Sequence, residues 1–256
     1  MLPHVPEEQE PPASSGLLLR EVVRIKDSCE LKPVAHIETD FPTKFGVPRQ
    51  SGLVKGLKGR IVFNPEYRDP EALRGLEGFS HIWLLWDFSE ARREGCKWHP
   101  TVRPPRLGGN RRMGVWATRS PFRPNNIGLS SVRILNIDLH TSEGPIIEVE
   151  GADLMSGTPI FDIKPYLAFT DSHPEATGGF AEETLHSQLS ADYHYTFNSK
   201  LLEAFDAEKL GALREVLASD PRPHYHDDAD RIYVLEFAGK EVKFRIKAGE
   251  VEAWLD

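Results

Sequence analysis

The sequence has few cysteines and lacks the common short motifs of nucleotide-binding and hydrolytic enzymes. Its 256 residues include only Cys29 and Cys96, with no CxxC or Cys/His ligand spacing, which predicts no metal site and fits a reducing cytoplasm. The histidines and aspartates at 224–228 lack further ligands at structural spacing, so we expect surface polarity there. GxGxxG, GxxxxGK[ST], HExxH and GxSxG are also missing, which argues against a Rossmann-type pocket. No apolar run approaches the roughly 20 residues that span a bilayer, so we expect no membrane segment.

Acidic residues are missing from one long segment. Lys97–Arg133, the basic segment, contains eight lysine and arginine residues and no aspartate or glutamate. The remaining 23 basic and 39 acidic side chains give the rest of the chain a net charge of −16. A basic segment rich in Pro, Gly and Asn on an otherwise acidic protein predicts contact with a polyanion. The alternative is a solvated loop whose arginines only maintain solubility.

Short strands dominate the first two thirds of the chain. The predicted strands are Leu17–Ile25, Pro33–Ile37, Gly59–Asn64, His81–Phe88, Ser131–Leu139, Pro145–Val149 and Pro159–Ile163. They are rich in β-branched and aromatic residues and are separated by Gly, Pro or Asn. Pro70–Leu76 has proline at its start and glycine near its end, which predicts a short helix. So many strands with so little helix predict a mainly β protein built on a closed or nearly closed barrel.

The sequence predicts three parts. Residues 1–16 are acidic and Pro-rich, which is typical of a flexible tail and not of a signal peptide. Residues 17–170 are expected to form the barrel domain, and residues 171–256, after a polar linker, a small α+β domain. The elements predicted in this last part are helices at Ser199–Phe205 and Ala207–Leu217, a hairpin of Arg231–Phe237 and Glu241–Ile246, and a final strand at Glu250–Leu255.

Four loop segments combine turn residues with polar groups beside predicted strand ends. They are Pro48–Gly52, Asp87–Glu90, Ala117–Leu129 and Asp153–Tyr166. Loops at strand ends of a rigid barrel are common places for binding sites. Together these segments predict a pocket for a small polar ligand.

The longest of these motifs resemble those of a known family. The stretch RPPRLGGNRRMGVWATRSPFRPNNIG is preceded by FGVPRQSGLVK and GLEGFSHIWLLWDF and followed by GADLMSGTPIFDIKPY. In this order they resemble the TrmO family of tRNA methyltransferases, also described as TsaA-like or YaeB-like, over Leu31–Tyr166. DPRPHY at Asp220–Tyr225 is similar to a motif of the family's C-terminal domain. The resemblance implies an S-adenosylmethionine-dependent β-barrel enzyme, acting as a homodimer on N6 of threonylcarbamoyladenosine next to the tRNA anticodon.

The same resemblance implies which residues line the methyl-donor site. They are Gln50, Ser51, Gly52, Phe88, Ser89, Arg119, Leu129, Gly157, Thr158, Pro159 and Ile160. In such a site Arg119 can pair with the donor's carboxylate, and Asp87 or Glu90 can bind its ammonium or ribose hydroxyls. Phe88 or Trp86 can contact its adenine or sulfonium. The alternative for each tryptophan of this strand is core packing.

A general base is expected because the attacked nitrogen is amide-like and a poor nucleophile until it loses its proton. Asp162, Lys164 and Tyr166 alternate along an extended segment and should share one face. There Asp162 can accept the proton, Lys164 can bind a phosphate or the threonyl carboxylate, and Tyr166 can stack or donate a hydrogen bond. The alternative is a structural Asp–Lys pair at a strand end.

Contact with the tRNA anticodon loop is expected from arginines, which bind phosphate through two bonds and stack on bases. The candidates are Arg103, Arg106, Arg111, Arg112 and Arg123, with Arg222 and Tyr225 as weaker candidates in the C-terminal part. Two alternatives to the enzyme stay open: a non-catalytic RNA-binding barrel and a regulator that binds other proteins.

Overall fold

The computed structural model of the chain describes residues 30–93, 95, 97–104, 111–183, 193–222 and 228–256. The strands there are β1 (Ala35–Glu38), β2 (Lys58–Phe63), β3 (His81–Asp87), β4 (Thr101–Val102), β5 (Met113–Gly114), β6 (Ile127–Thr141), β7 (Gly144–Glu150), β8 (Thr158–Pro165), β9 (His194–Phe197), β10 (Tyr233–Phe237), β11 (Lys240–Lys247) and β12 (Glu250–Trp254). The α-helices are α1 (Ser89–Arg93), α2 (Ala168–Asp171), α3 (Phe180–Glu183), α4 (Ser199–Ala204) and α5 (Ala207–Ala218). The predicted tail and the predicted strand Leu17–Ile25 lie outside the described residues.

Six strands form a closed antiparallel barrel in the order β1-β2-β7-β6-β3-β8, with β8 pairing back to β1. Apolar side chains at alternate positions of the strands fill the interior. Ile37, Ile61, Leu84, Ile147 and Ile160 are all fully buried there. The prediction of a mainly β fold with a single barrel is therefore confirmed.

Two predicted elements differ from those observed. Pro70–Leu76 is not a continuous α-helix but two 3₁₀ helices, Pro70–Leu73 and Leu76–Gly78. The break falls at Gly75, whose φ of +90° is incompatible with helical continuation. The long strand β6 begins at Ile127, four residues before its predicted start.

A β-bulge in β8 changes which face of the barrel its side chains occupy. Leu85 of β3 lies opposite Asp162, but the next residue, Trp86, lies opposite Ile160, so Phe161 is the extra residue. Unbroken alternation from the inward-facing Ile160 would direct Asp162 into the core. The bulge instead places Asp162 on the outer face, beside Leu85.

A second sheet follows the barrel, with strand order β10-β11-β12-β9 and β9 parallel to β12. Helices α4 and α5 are capped by the residues that precede them, Asn198 and Asp206, whose side chains accept hydrogen bonds from backbone amides of the first turn. Phe41, Val54 and Leu57, from the connection between β1 and β2, are buried in the core of this second sheet. Residues 32–256 accordingly form one compact unit.

No helix in the part of the chain that the structure describes is long and apolar enough to cross a membrane.

Candidate active site

A cleft of about 840 Å³ opens where β3 ends and where β6 and β8 begin. Its volume is in the range of small-molecule and cofactor sites. Its walls come from residues within 42–50, 83–93, 118–129, 153–158 and 219–221. The structure thus brings residues from all four predicted loop segments together. Two further parts of the cleft wall lie outside those four segments: the β1–β2 connection before Pro48 and the turn Ser219–Pro221.

A line of hydrogen bonds connects the barrel interior to the cleft. The indole N–H of Trp86 donates to Oγ of Ser130 at 2.9 Å, and the Ser130 hydroxyl donates to Oδ1 of Asp153 at 2.6 Å. Burial raises the pKa of Asp153, while bonds from Ser130 and the backbone amide of Ser51, and the charge of Arg119, oppose that rise. Asp153 therefore places a partly buried carboxyl group on the cleft wall. Asp153 begins the fourth loop segment predicted to line a pocket, but no individual role was predicted for it, because its partners Ser130 and Ser51 are distant in sequence.

The raised pKa of Asp153 predicts a specific pH dependence of stability. Since the folded-state pKa lies above the ordinary value of 3.8, the native state loses stability as pH rises through the folded pKa. In Asp153→Asn this loss is absent, so the unfolding free energy of the variant minus that of wild type should increase across this range. Urea unfolding at several pH values from about 4 to about 7 measures the difference.

Asp171 is the matched control for this prediction. Hydrogen bonds from the Leu167 amide and then from the indole of Trp83 lower its pKa. Asp171 therefore contributes stability that is present above its ordinary pKa of 3.8 and is lost as pH falls. For Asp171→Asn, the unfolding free energy of the variant minus that of wild type should therefore decrease as pH rises from low values. The same trend in both variants would contradict the assignment of Asp153.

Trp86 and Phe88 form the aromatic part of the cleft. Their ring centroids are 4.3 Å apart at an interplanar angle of 57°. The indole packs directly against Gly128 of β6, where a Cβ atom would be only 2.2 Å from the ring. Glycine at this position is therefore what lets a tryptophan occupy the end of the barrel.

Replacing Gly128 by alanine should displace the indole of Trp86. We expect a loss of about 1–3 kcal/mol in the free energy of unfolding, the usual cost of overpacking. Gly114→Ala is the control, since it is also a strand glycine, has ordinary backbone angles and has open space around its Cβ position. Thermal or urea unfolding of both variants tests this, and equal stabilities would contradict it.

Arg119 projects from the basic segment toward the cleft. Its guanidinium donates a hydrogen bond to the side-chain oxygen of Gln50, and its charge acts on the carboxyl group of Asp153. The side chain of Arg119 is otherwise exposed. A cation and a partly buried carboxyl group thus lie near one another on the cleft wall, next to an aromatic surface.

Most of the residues expected at a methyl-donor site line this cleft. They are Gln50, Phe88, Ser89, Arg119, Leu129, Gly157 and Thr158. Four others do not line it. Ser51 bonds through its amide to Asp153, and the Gly52 amide donates to the Gly151 carbonyl at 2.9 Å. Pro159 lies opposite His36 in the β1–β8 pair, and the Ile160 side chain is fully buried in the barrel. Their role as cofactor contacts stays a prediction.

The three predicted catalytic residues lie on the outer face of the barrel beside the cleft. Lys164 Nζ is 2.8 Å from Asp162 Oδ2, and both side chains are about half exposed, at 62% and 47%. Tyr166 follows β8, and its ring centroid is 5.4 Å from that of Trp83, a residue that lines the cleft. None of the three lines the cleft itself. The ion pair fits both the catalytic and the structural alternative.

The predicted RNA-binding arginines have different surroundings. Arg103, Arg111 and Arg112 are exposed, and Arg112 donates to the Thr101 hydroxyl at 3.2 Å. Arg123 instead donates to the carbonyls of Thr118 and Ser120 at 2.7 and 3.3 Å and lies 5.4 Å from the Trp116 ring. Its guanidinium therefore stabilises the loop in this structure. Arg106 lies outside the described residues.

The C-terminal candidates are described only in part. The guanidinium of Arg222 donates two hydrogen bonds of 2.8 Å to the carboxylate of Asp220, which has a φ of +46° and lines the cleft. This pair fixes the turn that follows α5. Tyr225 lies outside the described residues, as do His224 and His226. Within the described ranges, no group of three or more His, Cys, Asp or Glu side chains is placed to bind a metal ion.

Comparison with known families gives two matches along the chain. The family described as the tRNA-methyltransferase O N-terminal domain matches residues 36–172. The TrmO C-terminal domain family matches residues 188–254. Together they cover most of the sequence, including the barrel, the cleft residues and the second sheet.

Individual relatives agree with these matches. A tRNA (adenine(37)-N6)-methyltransferase of Escherichia coli K12 is 40% identical over 223 residues, which is 86% of this chain and 94% of that protein. A Pseudomonas aeruginosa protein whose name describes an S-adenosylmethionine-dependent methyltransferase is 38% identical, covering 76% of this chain and 82% of its own. A crystal structure of TrmO superposes with a TM-score of 0.69 at 26% identity, covering 89% of this chain and 98% of that one.

Proposed function

The chain belongs to the TrmO family, and from this premise we propose that it is an S-adenosylmethionine-dependent tRNA methyltransferase acting on N6 of the adenosine at position 37. We further propose that the substrate base is threonylcarbamoyladenosine, next to the anticodon. The observation that carries the proposal is the cleft, where a cation, a partly buried carboxyl group and an aromatic surface meet beside a half-exposed carboxylate on the outer barrel face.

The side chains of the cleft fit the chemical groups of S-adenosylmethionine. Arg119 offers a planar pair of donors to a carboxylate, with Gln50 holding one edge of the guanidinium. Asp153 offers an acceptor to an ammonium or ribose hydroxyl. Trp86 and Phe88 offer a π-face to adenine or to the positive sulfonium. When bound, the cofactor supplies an activated methyl group.

The protein's part in the transfer is to position the target nitrogen and to remove its proton. Asp162 lies on the outer face with Oδ2 paired to Lys164 and Oδ1 accepting the Ile163 amide at 2.9 Å. Bound S-adenosylmethionine would supply the methyl carbon and leave with its sulfur, and Asp162 would accept the proton that N6 loses as it forms the new bond. Lys164 then remains available to an anionic group of the substrate, such as a phosphate or the threonyl carboxylate.

Two measurements test the proposed function. Calorimetric titration with S-adenosylmethionine should show one binding event per chain, and tRNA incubated with protein and cofactor should gain one methyl group on the adenosine at position 37. Mass spectrometry of nucleosides identifies the product. If millimolar S-adenosylmethionine does not bind, the proposed enzymatic function is contradicted and a non-catalytic RNA-binding barrel is favoured.

Salt should separate RNA binding from cofactor binding. Each phosphate bound in a single-stranded segment contributes about 0.7 to the slope of log K against log salt. Arg103 and Arg112 are exposed within the basic segment, so the double alanine variant should lower this slope for tRNA by about 0.7 for each phosphate that these arginines bind. Affinity for S-adenosylmethionine should change little. Lys240→Ala, an exposed cation of the second sheet, is the control and should leave both unchanged.

We also propose that the functional protein is a homodimer, as the resemblance to the family implies. A methyltransferase domain over residues 17–170 and a C-terminal domain over residues 171–256 remain the proposed division, which the two separate sheets support. Sedimentation at several protein concentrations tests the dimer. A monomer that methylates tRNA at full rate would contradict it.

A further inference from the structure

The outer face of β3 has an aromatic surface that the proposed mechanism does not use. Trp83 is half-buried, lines the cleft with part of its ring, and faces Tyr166 at a centroid distance of 5.4 Å. Tyr166 in turn lies 6.1 Å from the ring of His81. Three aromatic rings therefore extend from the cleft along the outside of the barrel.

The position of Trp83 is fixed by a carboxylate outside the barrel. The indole N–H of Trp83 donates to Oδ2 of Asp171 at 2.8 Å, and the same oxygen accepts the amide of Leu167 at 2.9 Å. Asp171 is the last residue of α2. The single oxygen that receives both bonds ties the ring to the segment that follows β8, which limits its rotation.

Trp83 lies near both Lys164 and Asp162, so an adenine bound on its ring would be close to the proposed proton acceptor. Lys164 is its directly paired residue on β8, and Asp162 is one pair farther along the same face, opposite Leu85. Paired residues on one face are about 5 Å apart and successive residues on that face about 7 Å. A purine stacked on Trp83 can therefore reach the carboxylate, the ammonium and the cleft at the same time.

We propose that Trp83 is the platform on which the target adenine stacks, and that Asp171 is a positioning residue that holds the platform. The inference rests on the proposed function and names the substrate contact of the same site. Single-stranded nucleic acids are recognised by stacking of unpaired bases on aromatic side chains, and a fixed ring lowers the entropy lost on binding. The charge of Lys164 and the continuity with the cleft favour a nucleotide as the occupant of this face.

The test compares conservative and disruptive variants in steady-state methylation of tRNA. Trp83→Leu removes the aromatic face and should lower kcat/KM for tRNA about 20-fold, in line with the usual loss of base stacking. Trp83→Phe retains a ring and should lose about threefold or less. Because Trp83 also lines the cleft, cofactor affinity is measured by calorimetry in both variants, and a loss of cofactor affinity as large as the loss of kcat/KM would place Trp83 in the cofactor site and overturn the platform. Trp254→Leu, in the second sheet, is the matched control and should behave as wild type.

Asp171 gives an independent test that does not disturb the barrel. Asp171→Ala removes both hydrogen bonds and should lower kcat/KM for tRNA about fivefold, whereas Asp171→Asn retains an oxygen acceptor at the position of Oδ2 and should restore it. If Asp171→Asn restores kcat/KM, the hydrogen bonds that position Trp83 matter and the charge of Asp171 does not. An Asp171→Asn variant as impaired as Asp171→Ala overturns the positioning role.

The remaining outcomes are distinguishable. If wild type methylates tRNA while Trp83→Leu stays within twofold of it, the platform is overturned and the proposed function stands. If Trp83→Leu alters sedimentation without altering kcat/KM, the face is a contact between copies of this chain, which also overturns the platform. A wild-type protein that neither binds cofactor nor methylates tRNA overturns the proposed function and this inference with it.

Discussion

Asp162→Asn is expected to lower kcat for tRNA methylation by about 10²–10⁴, the usual contribution of a positioned general base. The variant keeps the size of the side chain and an acceptor for the Ile163 amide, which bonds to Oδ1 at 2.9 Å. It loses the charge that accepts the N6 proton. Affinity for S-adenosylmethionine should not change, because Asp162 does not line the cleft.

Two control variants separate catalysis from a structural ion pair. Asp138→Asn changes an exposed carboxylate of β6 that also accepts a backbone amide, that of His140, at 2.9 Å. It should leave kcat unchanged. Lys164→Met breaks the same ion pair as Asp162→Asn but leaves the carboxylate in place, so it should raise KM for tRNA more than it lowers kcat. Equal losses of kcat in Asp162→Asn and Lys164→Met would favour the structural alternative.

Arg119→Ala is expected to weaken S-adenosylmethionine binding about 100-fold, because a charge-assisted pair to the cofactor carboxylate is lost. Arg119→Lys should recover part of this affinity, since lysine retains the charge but not the planar pair of donors. Calorimetry gives both values. Arg112→Ala, an exposed arginine of the same basic segment, is the control and should bind the cofactor as wild type does.

Truncated ligands identify which end of the cofactor Arg119 contacts. Wild type should prefer S-adenosylhomocysteine over methylthioadenosine, which lacks the amino-acid end. Arg119→Ala should lose most of this preference while binding methylthioadenosine as well as wild type does. A variant that weakens both ligands equally would show that Arg119 acts on the shape of the cleft, for example through Gln50, and not on the carboxylate.

The fold was predictable because its signals are local. Runs rich in β-branched and aromatic residues, with Gly, Pro or Asn between them, located the six barrel strands, although β6 begins four residues before its predicted start. Gly75 shows the limit of such signals. Pro70 correctly marked the start of a helical region, but Gly75, expected near its end, has a left-handed φ and divides the region into two 3₁₀ helices.

The cleft was predictable as a set of loops but not as an arrangement of atoms. Gln50, Phe88 and Arg119 lie in motifs that resemble the family's, and they meet in the cleft. Asp153 also lies in such a motif, but its role could not be predicted from the sequence, because its environment is created by Ser130 and Ser51 when the barrel closes. Ser219–Pro221 also lines the cleft, and the β1–β2 connection that lines it too packs into the core of the second sheet. Such contacts between distant parts of the chain leave no local signal in the sequence.

Because Phe161 is the extra residue of the bulge, β8 can lose this one residue without changing which side chains face the barrel interior. Without Phe161, Ile160 and Asp162 would be consecutive, and plain alternation would still direct Ile160 inward and Asp162 outward. Pairing Phe161 with Leu85 at unchanged length would instead slide the rest of the strand by one residue. Asp162 and Lys164 would then point into the apolar interior, and Ile163 would take their place outside. Deletion of Phe161 should therefore keep Asp162 and Lys164 on the outer face, whereas a one-residue register shift of the full-length strand would move both of them into the interior.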